Sequence, residues 1–88
     1  MFNITPAQIR AARAILRWTA DDLARASKVG VATIRRAEVR EELTGMTEAN
    51  AAAIRSALEQ AGIEFIAENG GGAGVRLRER SGRTKKDK

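Results

Sequence analysis

The side chains with chemistry to offer in this chain are guanidiniums. Arg35 and Arg36 stand side by side in VATIRRAE, and Arg10, Arg13 and Arg17 recur upstream at helical spacing. A guanidinium is a planar, permanently charged fork of N–H donors. It suits phosphate, carboxylate or the O6/N7 edge of guanine, and it serves neither as nucleophile nor as general base. The chain has no His and no Cys. That removes Cys/His zinc sites, Ser-His-Asp triads and Cys-His nucleophiles. Asp21 with Asp22, and Glu41 with Glu42, are neighbours in sequence; they do not read as carboxylates facing each other across a pocket. The expectation is binding without catalysis, with no catalytic residue, no metal and no cofactor.

Guanidiniums that read a surface need a rigid support. Thr19 to Glu38, TADDLARASKVGVATIRRAE, reads as two short helices around a tight turn. Thr19 is placed as an N-cap and Asp22 as the acidic N3 residue that reaches back to it. Trp18 and Leu23 occupy the two positions of a hydrophobic staple. Leu23, Ala24, Val29, Ile34 and Ala37 give inward positions on both sides of the break. Gly30 leads into the second helix, which begins near Val31 and carries Arg35 and Arg36 outward. Two helices at a steep angle, joined by three or four residues and basic on the second, describe a helix-turn-helix unit. The second helix of such a unit fits the DNA major groove.

On these residues the segment LARASKVGVATIRRAE resembles the core of the Xre and lambda-repressor-like helix-turn-helix family. Leu23, Ala24, Val29, Thr33, Ile34 and Glu38 carry the match, and the resemblance covers roughly Pro6 to Ala61. Lys28 stands where the family usually has a turn glycine. Either Lys28 adopts a positive φ or the turn has another shape. Gly30 stands where the family usually has a serine or threonine cap.

The resemblance implies a mainly α fold: a four-helix lambda-repressor-like DNA-binding domain with, here, a short C-terminal β-hairpin. It implies a sequence-specific transcriptional regulator, a repressor acting by steric occlusion. Val31 and Ala32 match base-reading positions and, being apolar, would pack on thymine methyls. Thr33 would reach a phosphate or a base, Arg36 a guanine, and Arg35 a phosphate. Thr19 and the amides beside it would hold a phosphate at a helix N-terminus. Lys28 and Arg40 would touch the DNA backbone. Arg13 and Glu38 match a partly buried ion pair between the first and third helices. A second reading is an antitoxin-like or adaptor protein that binds a protein partner and regulates itself through DNA binding.

The rest of the chain positions that unit. Thr5-Pro6-Ala7-Gln8 is a helix start with Pro at N1 and Gln closing a capping box. Ile4 and Ile9 can form a second staple. The helix is expected to run to about Arg17, with Ile9, Ala12 and Leu16 inward and Ile15 beside them. Arg10, Arg13 and Arg17 share another face, suited to phosphate or to water. Val39 to Met46 reads as a connection broken by Gly45. Thr47 caps a fourth helix with Ala51, Ile54, Leu58 and Ala61 on one face, and Gly62 stops it. The core is small: Ile9, Leu16, Trp18, Leu23, Val29, Ile34, Leu43, Ile54 and Leu58 carry most of it.

After Gly62 the period changes from helical to alternating. Residues 63–66 and 75–80 read as the strands of a hairpin around NGGGAG. No Lys-Ser/Thr pair or helix follows these glycines, so a phosphate loop is set aside. Glu64 and Glu68 can pair across the strands with Arg76, Arg78 and Arg80. A lone hairpin is marginal in water. The expectation is that Ile63, Phe65, Val75 and Leu77 help form a homodimer, by strand pairing or by packing over the neighbour.

The chain thus divides into a DNA-binding domain over 1–62, a dimerisation hairpin over 63–80, and a basic, disordered tail over 81–88. Its 88 residues fit one domain, and 16 Lys plus Arg against 11 Asp plus Glu give a net charge of +5. That balance suits an anionic partner. No membrane-length apolar run or signal-peptide core is seen. A cytoplasmic protein with double-stranded DNA as its partner is expected.

Overall fold

The structure, a computed structural model, describes residues 4–39 and 46–78. Along the chain come helices α1 (Pro6–Leu16), α2 (Ala20–Ser27), α3 (Val31–Glu38) and α4 (Glu48–Gln60), then strands β1 (Ile63–Ile66) and β2 (Gly74–Leu77). The mainly helical fold and the closing antiparallel hairpin are as expected. Arg40, Leu43, Gly45 and the 81–88 tail lie outside the described residues.

Three helices start on threonine because a hydroxyl there accepts an amide that the helix cannot satisfy itself. Thr5 accepts from the Gln8 amide at 3.1 Å, and Gln8 Oε1 accepts from the Thr5 amide at 2.8 Å. Thr19 and Asp22 exchange the same pair of bonds at 3.0 and 2.9 Å. Thr47 accepts from the Asn50 amide at 3.0 Å. The helices end on left-handed residues or on a turn. Arg17 caps α1 at φ 59, Lys28 caps α2 at φ 61, and Gly62 follows α4 at φ 108. Lys28 therefore takes the first of the two alternatives its sequence position left open.

Helix amphipathicity assembles the core. Ile9, Leu23, Ile34, Ile54, Leu58 and Ile63 are wholly buried, with Ile4, Ala12, Val29, Ala57 and Phe65 beside them. Each large apolar side chain removed from water contributes about 1.5–3 kcal/mol. Leu16 and Trp18 pack against this cluster while staying partly exposed. Ile15 does not join it. It remains 39% exposed, because Ile9, Ala12 and Leu16 already define the inward line and Ile15 lies about 100° round the helix from Leu16.

The hairpin folds onto its own chain. β1 pairs with β2 in the register Ile63↔Leu77, Glu64↔Arg76, Phe65↔Val75, Ile66↔Gly74. β1 lies against α4 and β2 against α1. Ile63 and Phe65, expected to help form a homodimer, are buried within the chain itself, and Val75 and Leu77 pack against the same core. Gly62 turns the strand straight back under α4, so the apolar face is covered without a neighbour.

Three polar ties fix the hairpin there. Gln8 is 2% exposed; its Nε2 donates to Gly74 O at 2.8 Å and to Ile66 O at 3.4 Å. Arg78 donates through both Nη atoms to Glu59 O at 3.1 Å, on the last turn of α4. The Arg55 guanidinium sits 5.6 Å from the Phe65 ring centre. Of the expected cross-strand pairs, Arg76 with Glu64 forms at 3.1 Å. Arg78 instead takes a backbone carbonyl and lies just past the end of β2 at Leu77; Arg80 lies outside the described residues.

Candidate nucleic-acid interface

α3 follows α2 after only Lys28, Val29 and Gly30. The turn is held from inside. Ser27 is buried; its hydroxyl donates to Leu23 O at 2.7 Å and accepts from the Val29 amide at 3.3 Å. Val29 then enters the core. Gly30 opens α3 without any side-chain cap.

α3 divides cleanly into two faces. Ile34, Ala37 and Glu38 are buried. Ala32, Arg35, Arg36 and Val39 are exposed, at the i, i+3, i+4, i+7 spacing of one helical stripe. Val31 and Thr33 flank the stripe half-buried. Of the sequence-predicted residues, Val31, Ala32, Thr33, Arg35 and Arg36 thus sit on or beside one open surface, with Lys28 exposed just before it. Val39 was read as part of a connection. It is the C-cap of α3 and is 83% exposed. Its position seven residues after Ala32 was the available signal.

The C-terminal end of α3 is bolted down. Arg13 Nε and Nη2 donate to the two Glu38 carboxylate oxygens, each at 2.7 Å, while Nη1 donates to Trp18 O at 2.8 Å. Arg10 Nη1 donates to Glu38 O. The Glu38 side chain is 8% exposed and that of Arg13 is 22%. The hydrogen bonds to Glu38 raise the Arg13 guanidinium above its ordinary value, against the opposing effect of burial. One helix-α1 face therefore holds α3 in place, and two of its three arginines are structural.

Thr19 caps α2 as its sequence position predicts. Its amide and its hydroxyl oxygen serve the capping box, and Asp21 and Asp22 fill the first turn of α2. Those carboxylates already answer the positive end of the helix and oppose a phosphate. Arg25 pairs with Asp22, and Arg35 lies 3.8 Å from Asp21 in an exposed pair that a stronger anion can displace.

The Thr19 backbone amide, more than its hydroxyl or Arg25, holds the Asp22 carboxyl below the usual aspartate range. A folded-state value below the unfolded one stabilises the protein above about pH 3.9 and is lost as pH falls through the folded value. Unfolding followed from about pH 5 down to about pH 2 is expected to show this loss in the wild type. Asp22→Asn is expected to have a smaller slope over that window; equal slopes would remove the capping box from the acid response.

The described cations sort by partner. Arg10 and Arg13 bind Glu38, Arg25 binds Asp22, Arg35 faces Asp21, Arg55 binds Glu59, Arg76 binds Glu64, and Arg78 binds Glu59 O. Among the described residues Arg17, Lys28 and Arg36 have no side-chain partner. No group of His, Cys, Asp or Glu among the described residues is arranged to hold a metal ion, and no helix there is long and apolar enough to cross a membrane. The sequence matches no known family model and no curated protein.

Proposed function

We propose that this chain is a sequence-specific double-stranded DNA-binding protein of the lambda-repressor-like type, acting as a transcriptional repressor that reads the major groove with α3. One observation carries the reading. α3 buries Ile34, Ala37 and Glu38 and leaves Ala32, Arg35, Arg36 and Val39 open on a single stripe. A helix held rigidly on one side and bearing guanidiniums on the other suits insertion into a groove about 12 Å wide. Arg36 has no partner to give up, so its fork is the one assigned to guanine O6 and N7. Arg35 clamps a phosphate, exchanging Asp21 for it. Ala32 and Val39 offer methyls to thymine at either end of the stripe, with Val31 beside Ala32. Thr19 is left to its capping role.

Arg36→Ala is expected to cost about 1–3 kcal/mol of binding and to relax preference at one base pair. Selection of bound sequences from a random duplex pool, run for wild type and variant, measures both. A variant weakened equally on every sequence would make Arg36 a phosphate contact; selection that enriches nothing would sink the reading.

A two-fold homodimer completes the proposal, giving half-sites about one helical turn apart. With the apolar face of the hairpin used within the chain, the strand edges remain for pairing, and the edge of β2 is the one assigned to it. The Arg78 amide donates to Gly62 O at 2.7 Å across the hairpin. Even-numbered residues from Gly74 to Arg78 therefore bond inward, and Val75 and Leu77 turn their backbone groups to the outer edge. Val75→Pro is expected to yield a folded monomer by light scattering. An unchanged dimer mass would exclude this edge.

A further inference from the structure

Backbone strain and unpaired charge coincide at two residues. Among the described residues, Arg17 at φ 59 and Lys28 at φ 61 are the non-glycine residues with positive φ. Each closes a helix through its own amide, Arg17 to Ala14 O at 3.2 Å and Lys28 to Ala24 O at 2.8 Å. A left-handed residue with a Cβ crowds its own carbonyl, and glycine escapes that cost. The negative end of a helix favours a cation, but by less than the backbone conformation costs. Both side chains are exposed. With Arg36 they are the cations left without a partner among the described residues.

These cations are not scattered. Arg17 precedes Trp18, whose carbonyl accepts from Arg13, and Arg13 holds Glu38 with its other nitrogens. A single guanidinium therefore separates the Arg17 segment from the last turn of α3. Lys28 precedes Gly30, the N-cap of α3. The two strained cations bracket α3, and Arg36 stands on its open face. Strained backbone conformations persist where a site has use for them.

We infer that Arg17 is a contact to the duplex phosphate backbone, the counterpart at the C-terminal end of α3 of Lys28 at its N-terminal end. Each is an exposed cation at the left-handed end of its helix, and no carboxylate among the described residues pairs with it. The inference rests on the DNA-binding reading above and extends it from α3 to the caps of α1 and α2.

The test sets stability against salt dependence. Wild type, Arg17→Gly, Arg17→Ala, Arg17→Lys and Lys28→Gly are titrated with a short random-sequence duplex at several salt concentrations, and each is melted. Arg17→Gly and Lys28→Gly are expected to melt higher, because the strain is gone. Each is also expected to lose one phosphate contact, so its affinity loss between about 50 and 200 mM salt is about threefold smaller than that of the wild type. Arg17→Ala loses the same salt dependence without the thermal gain, and Arg17→Lys keeps it. Arg76→Gln, on the hairpin, is the control for bulk charge and leaves the slope unchanged.

A wild type that binds and an Arg17→Gly variant with an unchanged slope would overturn this inference and leave the DNA-binding reading standing. A slope lowered equally by Arg76→Gln would overturn it too. A wild type that binds no duplex even in dilute buffer would overturn the reading beneath it.

Discussion

Arg13→Ala is expected to remove about 3–5 kcal/mol of unfolding free energy, because it strands the buried Glu38 carboxylate. The pair is bidentate, with both contacts at 2.7 Å and the Glu38 side chain 8% exposed. A domain of this kind has only about 5–15 kcal/mol in total, so the single variant stands near the edge of folding. Removing both partners is expected to cost less than removing one, since no lone charge is then left out of water. Chemical denaturation of wild type, both single variants and the double variant gives the coupling. Zero coupling would mean that solvent reaches Glu38 and that the pair anchors nothing. If the double variant folds, titrating it with duplex tests separately, on the proposed reading, whether the fork also aims α3.

The second large effect is expected from Gln8→Glu. Gln8 Nε2 donates to Gly74 O and Ile66 O, while its Oε1 accepts from Thr5 N. A carboxylate keeps the second role and turns the first into repulsion between a buried negative charge and two carbonyl oxygens. The expected cost at neutral pH is about 2–4 kcal/mol, of the order of burying an unpaired polar group. Its sign with pH is distinctive. The buried carboxyl titrates above its unfolded value of about 4.3, because only the protonated form donates to Gly74 O. The variant is therefore most stable below that value and loses stability as pH rises through its folded-state value. Urea midpoints across that range measure it. A variant whose deficit does not shrink on acidification would show that the hairpin is not held by this side chain.

The elements that were legible in the sequence are those with local causes. The capping boxes at Thr5 and Thr19 need only residues three apart, and the stop at Gly62 needs only a backbone free to take φ 108. The partnership of Arg13 with Glu38, 25 residues away, was readable only because the surrounding motif resembles a known family. Gln8 shows the other side. Its capping role was plain, but its bond to a carbonyl 66 residues on depends on where the hairpin docks. The same holds for the burial of Ile63 and Phe65 within the chain: a hairpin considered alone has nothing to lie on, and α1 and α4 supply the floor. Arg17 was placed on a helix face because nothing in the spacing says that α1 ends there in a left-handed residue. Val39 was missed for a related reason, since the stripe was taken to end with Arg36.

α3 is fastened at its rear by Glu38 and bare at its front, where Gly30 offers no cap. Nothing in the interior depends on the side chain at Ala32, which leads the open stripe. A lineage built on this scaffold is therefore free to change what its leading turn says while the hardware behind Ile34 and Glu38 stays as it is. On the DNA-binding reading proposed above, new target sequences would come within reach by single substitutions that leave folding untouched. The same asymmetry leaves the leading amides of α3 without a side-chain acceptor at Gly30, so hydrogen exchange there is expected to be fast in the free protein and, on the proposed reading, to slow when a duplex is added.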